Sequence, residues 1–143
     1  MPAVSCLFCE RIGRGDDLLA ENDLSVAFLD AFPLNPGHAL IVPRRHEADL
    51  LALNPGEHAA IWELVAVLRL LHEERYVPDG YNVGANIGIW AGQTIDHAHL
   101  HLIPRYRGDV RDPRGGIRWV IPDRAAYWAS GPDPDAGRGN AGG

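Results

Sequence analysis

Three histidines alternate with apolar residues in His97-Ala98-His99-Leu100-His101-Leu102-Ile103, and no other run constrains the chain as tightly. Strict alternation is the period of a β-strand, whose side chains at i, i+2 and i+4 share one face. The pattern predicts a strand over His97–Ile103 with three imidazoles on one side. Ala98, Leu100 and Leu102 then anchor the other side in a core. Three aligned imidazoles suit either a catalytic metal such as zinc or a nucleophile with neighbours that orient it and donate protons. The preceding residues favour the nucleophile. Ala91-Gly92-Gln93-Thr94 is a small turn whose backbone N–H groups make an anion-binding concavity, with Thr94 adding a hydroxyl donor. A phosphate held there would lie beside the imidazoles.

The rest of the chain reads as short strands around one long helix. Leu7–Arg14 is expected to form a short helix stopped by Gly13 and Gly15. Leu18–Glu21 and Ser25–Asp30 read as strands joined by a tight turn at Asn22-Asp23. His38–Val42 is an apolar run of strand length between Pro36-Gly37 and Pro43. Asn54-Pro55-Gly56-Glu57 supplies a cap, a first-turn proline and an acid, and opens a helix to about Arg75. Ile61, Leu64, Val65, Leu68 and Leu71 give that helix a core stripe. Trp62, Ala66 and Leu70 make its back face partly apolar, which suggests a second copy of the chain against it. Tyr81–Ile87 alternates again, with Asn82 and Asn86 facing away from Tyr81, Val83 and Ala85. The class is therefore α+β with a mainly antiparallel sheet. One domain is expected over 1–128, followed by a Gly/Pro-rich tail over 129–143.

Composition narrows the function classes. The formal net charge of −6 argues against a nucleic-acid partner recruited by a basic field. No apolar run has the length of a membrane span, and no basic flank ahead of an apolar stretch marks a signal peptide. Two cysteines are too few for a disulfide framework. A soluble, reduced, cytoplasmic protein is the expectation. All thirteen basic residues are arginine, which excludes a lysine nucleophile or Schiff base.

At the level of motifs the chain resembles the histidine triad (HIT) superfamily of nucleotide hydrolases and transferases. The resemblance runs from about Cys6 to Pro122 and is carried by Ala91 through Arg105 and by Asp30 through Pro43. Gly108-Asp109-Val110 and Asp112 through Gly116 resemble bacterial members akin to dinucleoside polyphosphate hydrolases. The resemblance implies a five-stranded HIT-like fold and a two-fold homodimer. It implies that His99 attacks an α-phosphorus to form a nucleotidyl-histidine, that His101 bonds the phosphate or leaving group, and that His38 orients the nucleophile. Asn86, Gly92, Gln93 and Thr94 fall at the α-phosphate, and Asp30 at the ribose hydroxyls. Neutral donors suit a reaction that depends on stabilising charge over non-bridging oxygens. Phe8, Phe28, Leu29 and Phe32 read equally as core or as the wall of a base pocket. The arginines from Arg105 to Arg118 read either as distal-phosphate contacts or as a solvated loop.

Cys6-Leu7-Phe8-Cys9 has the spacing of half a tetrahedral zinc site, and also suits two buried thiols or a redox pair. With no second cysteine pair, histidine must complete a zinc site, and His46 and His97 are the candidates. The resemblance implies that combination as a structural zinc. The chemistry would then fall to His99 and His101, while His58 and His72 read as ordinary helix histidines. The expected activity is hydrolysis of a purine nucleotide conjugate at its α-phosphate, with an AMP-type product. Nucleotidyl transfer to phosphate, or nucleotide sensing with negligible turnover, are the alternatives.

Overall fold

A computed structural model describes residues 5–130, which fall into two compact units divided between Arg107 and Gly108. The larger unit is a five-stranded antiparallel sheet with strand order β1-β2-β3-β5-β4. Its strands are β1 (Leu18–Glu21), β2 (Ser25–Leu29), β3 (Ala39–Pro43), β4 (Gly80–Gly84) and β5 (Leu100–Arg105). Helices α1 (Leu7–Arg14) and α2 (Pro55–Arg75) complete it.

Alternation divides the sheet's side chains between two cores. Ala27, Ala39, Ile41, Leu100 and Leu102 pack with Ile61, Leu64 and Leu68 of α2. Val26, Phe28, Leu40 and Val42 point the other way and pack with Phe8 of α1. Register places His101 opposite Leu40 of β3 and Gly84 of β4, so its ring emerges on the α1 face. Gly84 has no side chain to crowd it.

Local signals account for both helices. Asn54 Oδ1 accepts the Glu57 N–H and Glu57 returns a bond to the Asn54 N–H, a capping box with proline at the first turn. Glu57 also receives the Arg45 guanidinium at 2.9 and 3.2 Å, which ties the start of α2 to the segment after β3. That paired cation is the main reason its carboxyl titrates below the usual range. Helix α1 runs through Gly13 and ends at Gly15, whose φ of +66° suits glycine.

Several details differ from the sequence expectation. The histidine strand begins at Leu100 rather than His97, because the Ala98 N–H is taken by the Glu47 carbonyl at 2.6 Å. It runs past Pro104, which lies beyond the last pairing with β3 and so opens no gap in that ladder. β4 stops at Gly84, which leaves Asn86 in a loop. On α2 the inward position of the last turn belongs to His72, while Leu71 is exposed. Trp62 and Leu70 are exposed, as the back-face pattern requires.

The second unit holds a 3-10 turn at Gly116–Val120 and helices α3 (Pro122–Ala125) and α4 (Tyr127–Ser130). Arg118 donates to the Ala125 and Arg124 carbonyls, and Arg114 stacks on Trp128 while forking onto Asp112. The unit therefore uses both guanidinium groups internally. Of the tail expected over 129–143, only Ala129 and Ser130 lie within the described residues, and they close α4. Among the described residues no helix is long and apolar enough to cross a membrane.

Candidate active site and metal centre

Hydrogen bonding fixes the tautomer of each active-site imidazole, and the chain of inference starts at a backbone amide. The Leu34 N–H donates to His38 Nδ1 at 3.1 Å. A neutral His38 must then carry its proton on Nε2, 2.9 Å from His101 Nδ1. His101 accepts there, so its own proton lies on Nε2. His99 differs: its Nδ1–H donates to the His97 carbonyl at 2.8 Å, which leaves Nε2 as a bare lone pair. The His99 and His101 rings stand 5.2 Å apart between centroids. One ring thus offers a lone pair and its neighbour an N–H.

The surroundings of His38 and His101 favour the neutral ring. Burial lowers the His101 pKa to about 4, with the nearby His99 and His38 rings acting in the same direction. Burial also lowers His38, against the pull of the Asp30 carboxylate, whose Oδ2 lies 3.5 Å from His38 Nε2. Asp30 Oδ1 accepts the Phe32 N–H at 2.8 Å, which sets the carboxylate at the end of β2. Asp30, His38 and His101 together have the spacing of a metal site. A metal would need the His38 Nε2 lone pair, and the Leu34 N–H on Nδ1 forces the proton onto that atom. The cluster is built to hold a proton.

A pH test follows from His101. Its folded-state pKa near 4 lies below the ordinary histidine value, so the unfolded chain takes up a proton first as pH falls. This contribution to stability is full above about pH 6.5 and is lost progressively toward about pH 4. Urea midpoints are expected to fall across that window, and to fall less steeply for His101→Gln. Equal slopes for the two proteins would refute the assignment.

Next to the histidines, Gly88 to Thr94 forms a loop that turns on Gly92, whose φ is +96°. Asn86, Gly92 and Thr94 are exposed there, and Asn86 packs within 3.9 Å of where a Gly92 Cβ would sit. Gln93 is committed differently from the other three. Its Nε2 donates to the Ala48 and Ile95 carbonyls and its Oε1 accepts the Gly88 N–H. Both of its donors are spent on shaping the loop. Phe8 and Phe28 belong to the core, and Phe32 is exposed.

Cys6, Cys9, His46 and His97 bring one ligand atom each within 4.8 Å of the others. Cys6 Sγ and Cys9 Sγ both lie 3.5 Å from His97 Nδ1, and Cys9 Sγ lies 3.3 Å from His46 Nδ1. Tetrahedral zinc, with bonds of about 2.3 Å to sulfur and about 2.0 Å to nitrogen, sets such atoms about 3.5 Å apart. His97 Nε2–H donates to the Pro43 carbonyl at 2.8 Å, which leaves Nδ1 as the ligating atom. The donor set fits zinc and is closed, with four protein ligands.

Sequence reasoning missed the link between the two sites. Phe8, between the two cysteines, sets its ring at 81° to the His99 imidazole with centroids 5.2 Å apart. The signal was its place inside Cys6-Leu7-Phe8-Cys9, which puts one aromatic ring beside whatever the cysteines bind. Nothing in the sequence marks the Leu34 amide or the His97 carbonyl.

Several known proteins resemble this chain in sequence and fold. The HIT domain profile matches residues 14–108. Adenosine 5'-monophosphoramidase hnt1 of Schizosaccharomyces pombe is 41% identical over 71% of this chain and 75% of its own length. The asymmetrical bis(5'-nucleosyl)-tetraphosphatase of the same yeast is 32% identical over 74% of this chain and 58% of its own length. A zinc-bound histidine triad family protein from Mycobacterium smegmatis superposes with a TM-score of 0.66 at 34% identity. It covers 76% of this chain and 84% of its own. With its α+β sheet, its paired histidines and a profile match over most of its length, the chain belongs to the HIT family.

Proposed function

We propose that this enzyme hydrolyses purine nucleotide conjugates at the α-phosphate, through a covalent nucleotidyl-histidine on His99. The observation that carries the reading is the opposite polarity of two adjacent imidazoles. His99 presents a lone pair and His101 an N–H. His99 Nε2 attacks the α-phosphorus, and the bond from phosphorus to the leaving group breaks. His101 Nε2–H donates to the phosphate or the leaving atom and stabilises charge developing there. The imidazolium formed on His99 keeps its Nδ1–H on the His97 carbonyl. Water then attacks phosphorus, the N–P bond breaks, and a nucleoside monophosphate and a proton leave with His99 restored. The loop at Gly92, with Thr94 and Asn86, receives the phosphate, Gln93 shapes that loop, and Asp30 accepts the ribose hydroxyls. Zinc, when bound by Cys6, Cys9, His46 and His97, would supply structure only.

The test is direct. Protein mixed with an adenosine phosphoramidate or dinucleoside polyphosphate labelled at the α-phosphate and quenched in base should retain label as an acid-labile adduct. The adduct should vanish in His99→Ala. Turnover without any trapped label would overturn the covalent route, and no turnover on either substrate class would overturn the hydrolase reading.

The family relationship and the exposed Trp62 and Leu70 of α2 support a two-fold homodimer through that helix. Wild-type protein is expected to sediment as a dimer at micromolar concentration. Trp62→Glu should sediment as a monomer, because an unpaired carboxylate in the buried contact is costly. A monomeric wild type would leave these two side chains without that role.

A further inference from the structure

His72 is a buried, titratable side chain that the chemistry above does not use. It lies on the last turn of α2, is 2% exposed, and donates from Nε2 to the Gly37 carbonyl at 2.6 Å. Gly37 precedes His38, so that carbonyl belongs to the peptide group from which His38 projects. The other polar atom of the same peptide is the His38 N–H, which donates to the Asn35 carbonyl at 3.1 Å. The Gly37–His38 peptide plane is therefore clamped at both ends, one by a local turn and one by α2. Gly37 has φ +89°, and a Cβ there would sit 2.9 Å from Tyr76 and 3.1 Å from the His72 ring. No side chain fits, so the residue at the hinge must be the one with the fewest backbone restraints. A glycine peptide rotates readily unless its polar atoms are held.

We propose that His72 is a positioning residue, which clamps the Gly37 carbonyl and thereby fixes the His38 Nε2 contact to His101 Nδ1. The inference rests on the reading of His101 as donor to the phosphate or leaving group. Without the clamp, rotation about Gly37 shifts the His38 ring against the Leu34 N–H that sets its tautomer. His101 then loses the partner that keeps its own proton on Nε2. The effect reaches the reacting groups through backbone alone, from a side chain on the opposite face of the sheet.

Three proteins test it: wild type, His72→Leu, which removes the donor, and His72→Gln, which keeps an N–H. Long-range proton–nitrogen NMR of the wild type should find His72 protonated on Nε2, and a proton on Nδ1 alone would overturn the proposal without any variant. His72→Leu should lower kcat about tenfold or more with KM within about twofold, since misplacement is felt in the transition state. Its His38 and His101 ring nitrogens should shift, and His72→Gln should restore both signals and part of kcat. A folded His72→Leu with wild-type kcat and unshifted His38 and His101 nitrogens would show a merely structural role and refute the proposal. If the wild type turns over no nucleotide, the functional reading fails, while the ring nitrogens still decide the role of His72.

Discussion

His99→Ala is expected to lower turnover of an adenosine phosphoramidate by at least about a hundredfold while nucleotide affinity changes about twofold or less. The split follows from the geometry. His99 spends its Nδ1–H on the His97 carbonyl, so its one free atom is the Nε2 lone pair, and a lone pair is not a ligand for a phosphate oxygen. In the proposed reading, ground-state binding falls to the N–H of His101, the Gly92 loop and Asp30, which the substitution leaves in place. Only the bond to phosphorus is lost, and it exists only from the transition state onward. Steady-state kinetics with an adenosine phosphoramidate, and calorimetric titration with AMP, separate the two quantities. Loss of affinity in proportion to rate would make His99 a binding group. Residual turnover above about a hundredth of wild type would remove it as the nucleophile.

The parts of this site that follow from local spacing were readable from the sequence, and the parts set by backbone groups far along the chain were not. The cap of α2 lies within Asn54 to Glu57, and its inward residues Ile61, Leu64 and Leu68 recur at helical intervals. The same periodicity misassigned Leu71, because the residue packing inward at the last turn is set by what faces it. The Gly37 carbonyl rewards an N–H donor there, and His72 supplies one where leucine has none. Alternation placed His101 correctly on β5, with Leu100 and Leu102 in the opposite core. His97 and His99 lie outside that strand, since the Glu47 carbonyl takes the Ala98 N–H that a longer ladder would use. Alternation says which side chains share a face and nothing about their protons. Those depend on the Leu34 amide and the His97 carbonyl, backbone groups that nearly every residue type supplies alike, proline lacking only the N–H.

The other large effect is on stability and should come from the metal. One zinc per chain is expected by elemental analysis, bound by Cys6, Cys9, His46 and His97. Its removal by a chelator, or by Cys6→Ser or Cys9→Ser, is expected to lower the thermal midpoint by about 10 °C or more. Structural zinc contributes about 10 kcal/mol or more in small domains, and about 1 kcal/mol moves the midpoint of a chain this size by a few degrees. The places of the four ligands in the fold are the reason for that expectation. Cys6 caps α1, accepting the Cys9 N–H at 3.4 Å, and α1 carries Phe8 into the core beneath His99. His46 follows Arg45, whose guanidinium is paired with the cap of α2. The four ligands thus join the N-terminal helix, the segment after β3 and the approach to β5. Loss of metal should loosen all three at once. The Pro43 carbonyl still holds His97 Nε2 after the metal is gone, and His97 still offers its carbonyl to His99. Turnover per folded molecule at low temperature should therefore stay within about threefold of wild type, well inside what transition-state misplacement costs. A native protein that purifies without metal, and is as stable and active after chelation as before, would leave Cys6 and Cys9 as two ordinary thiols.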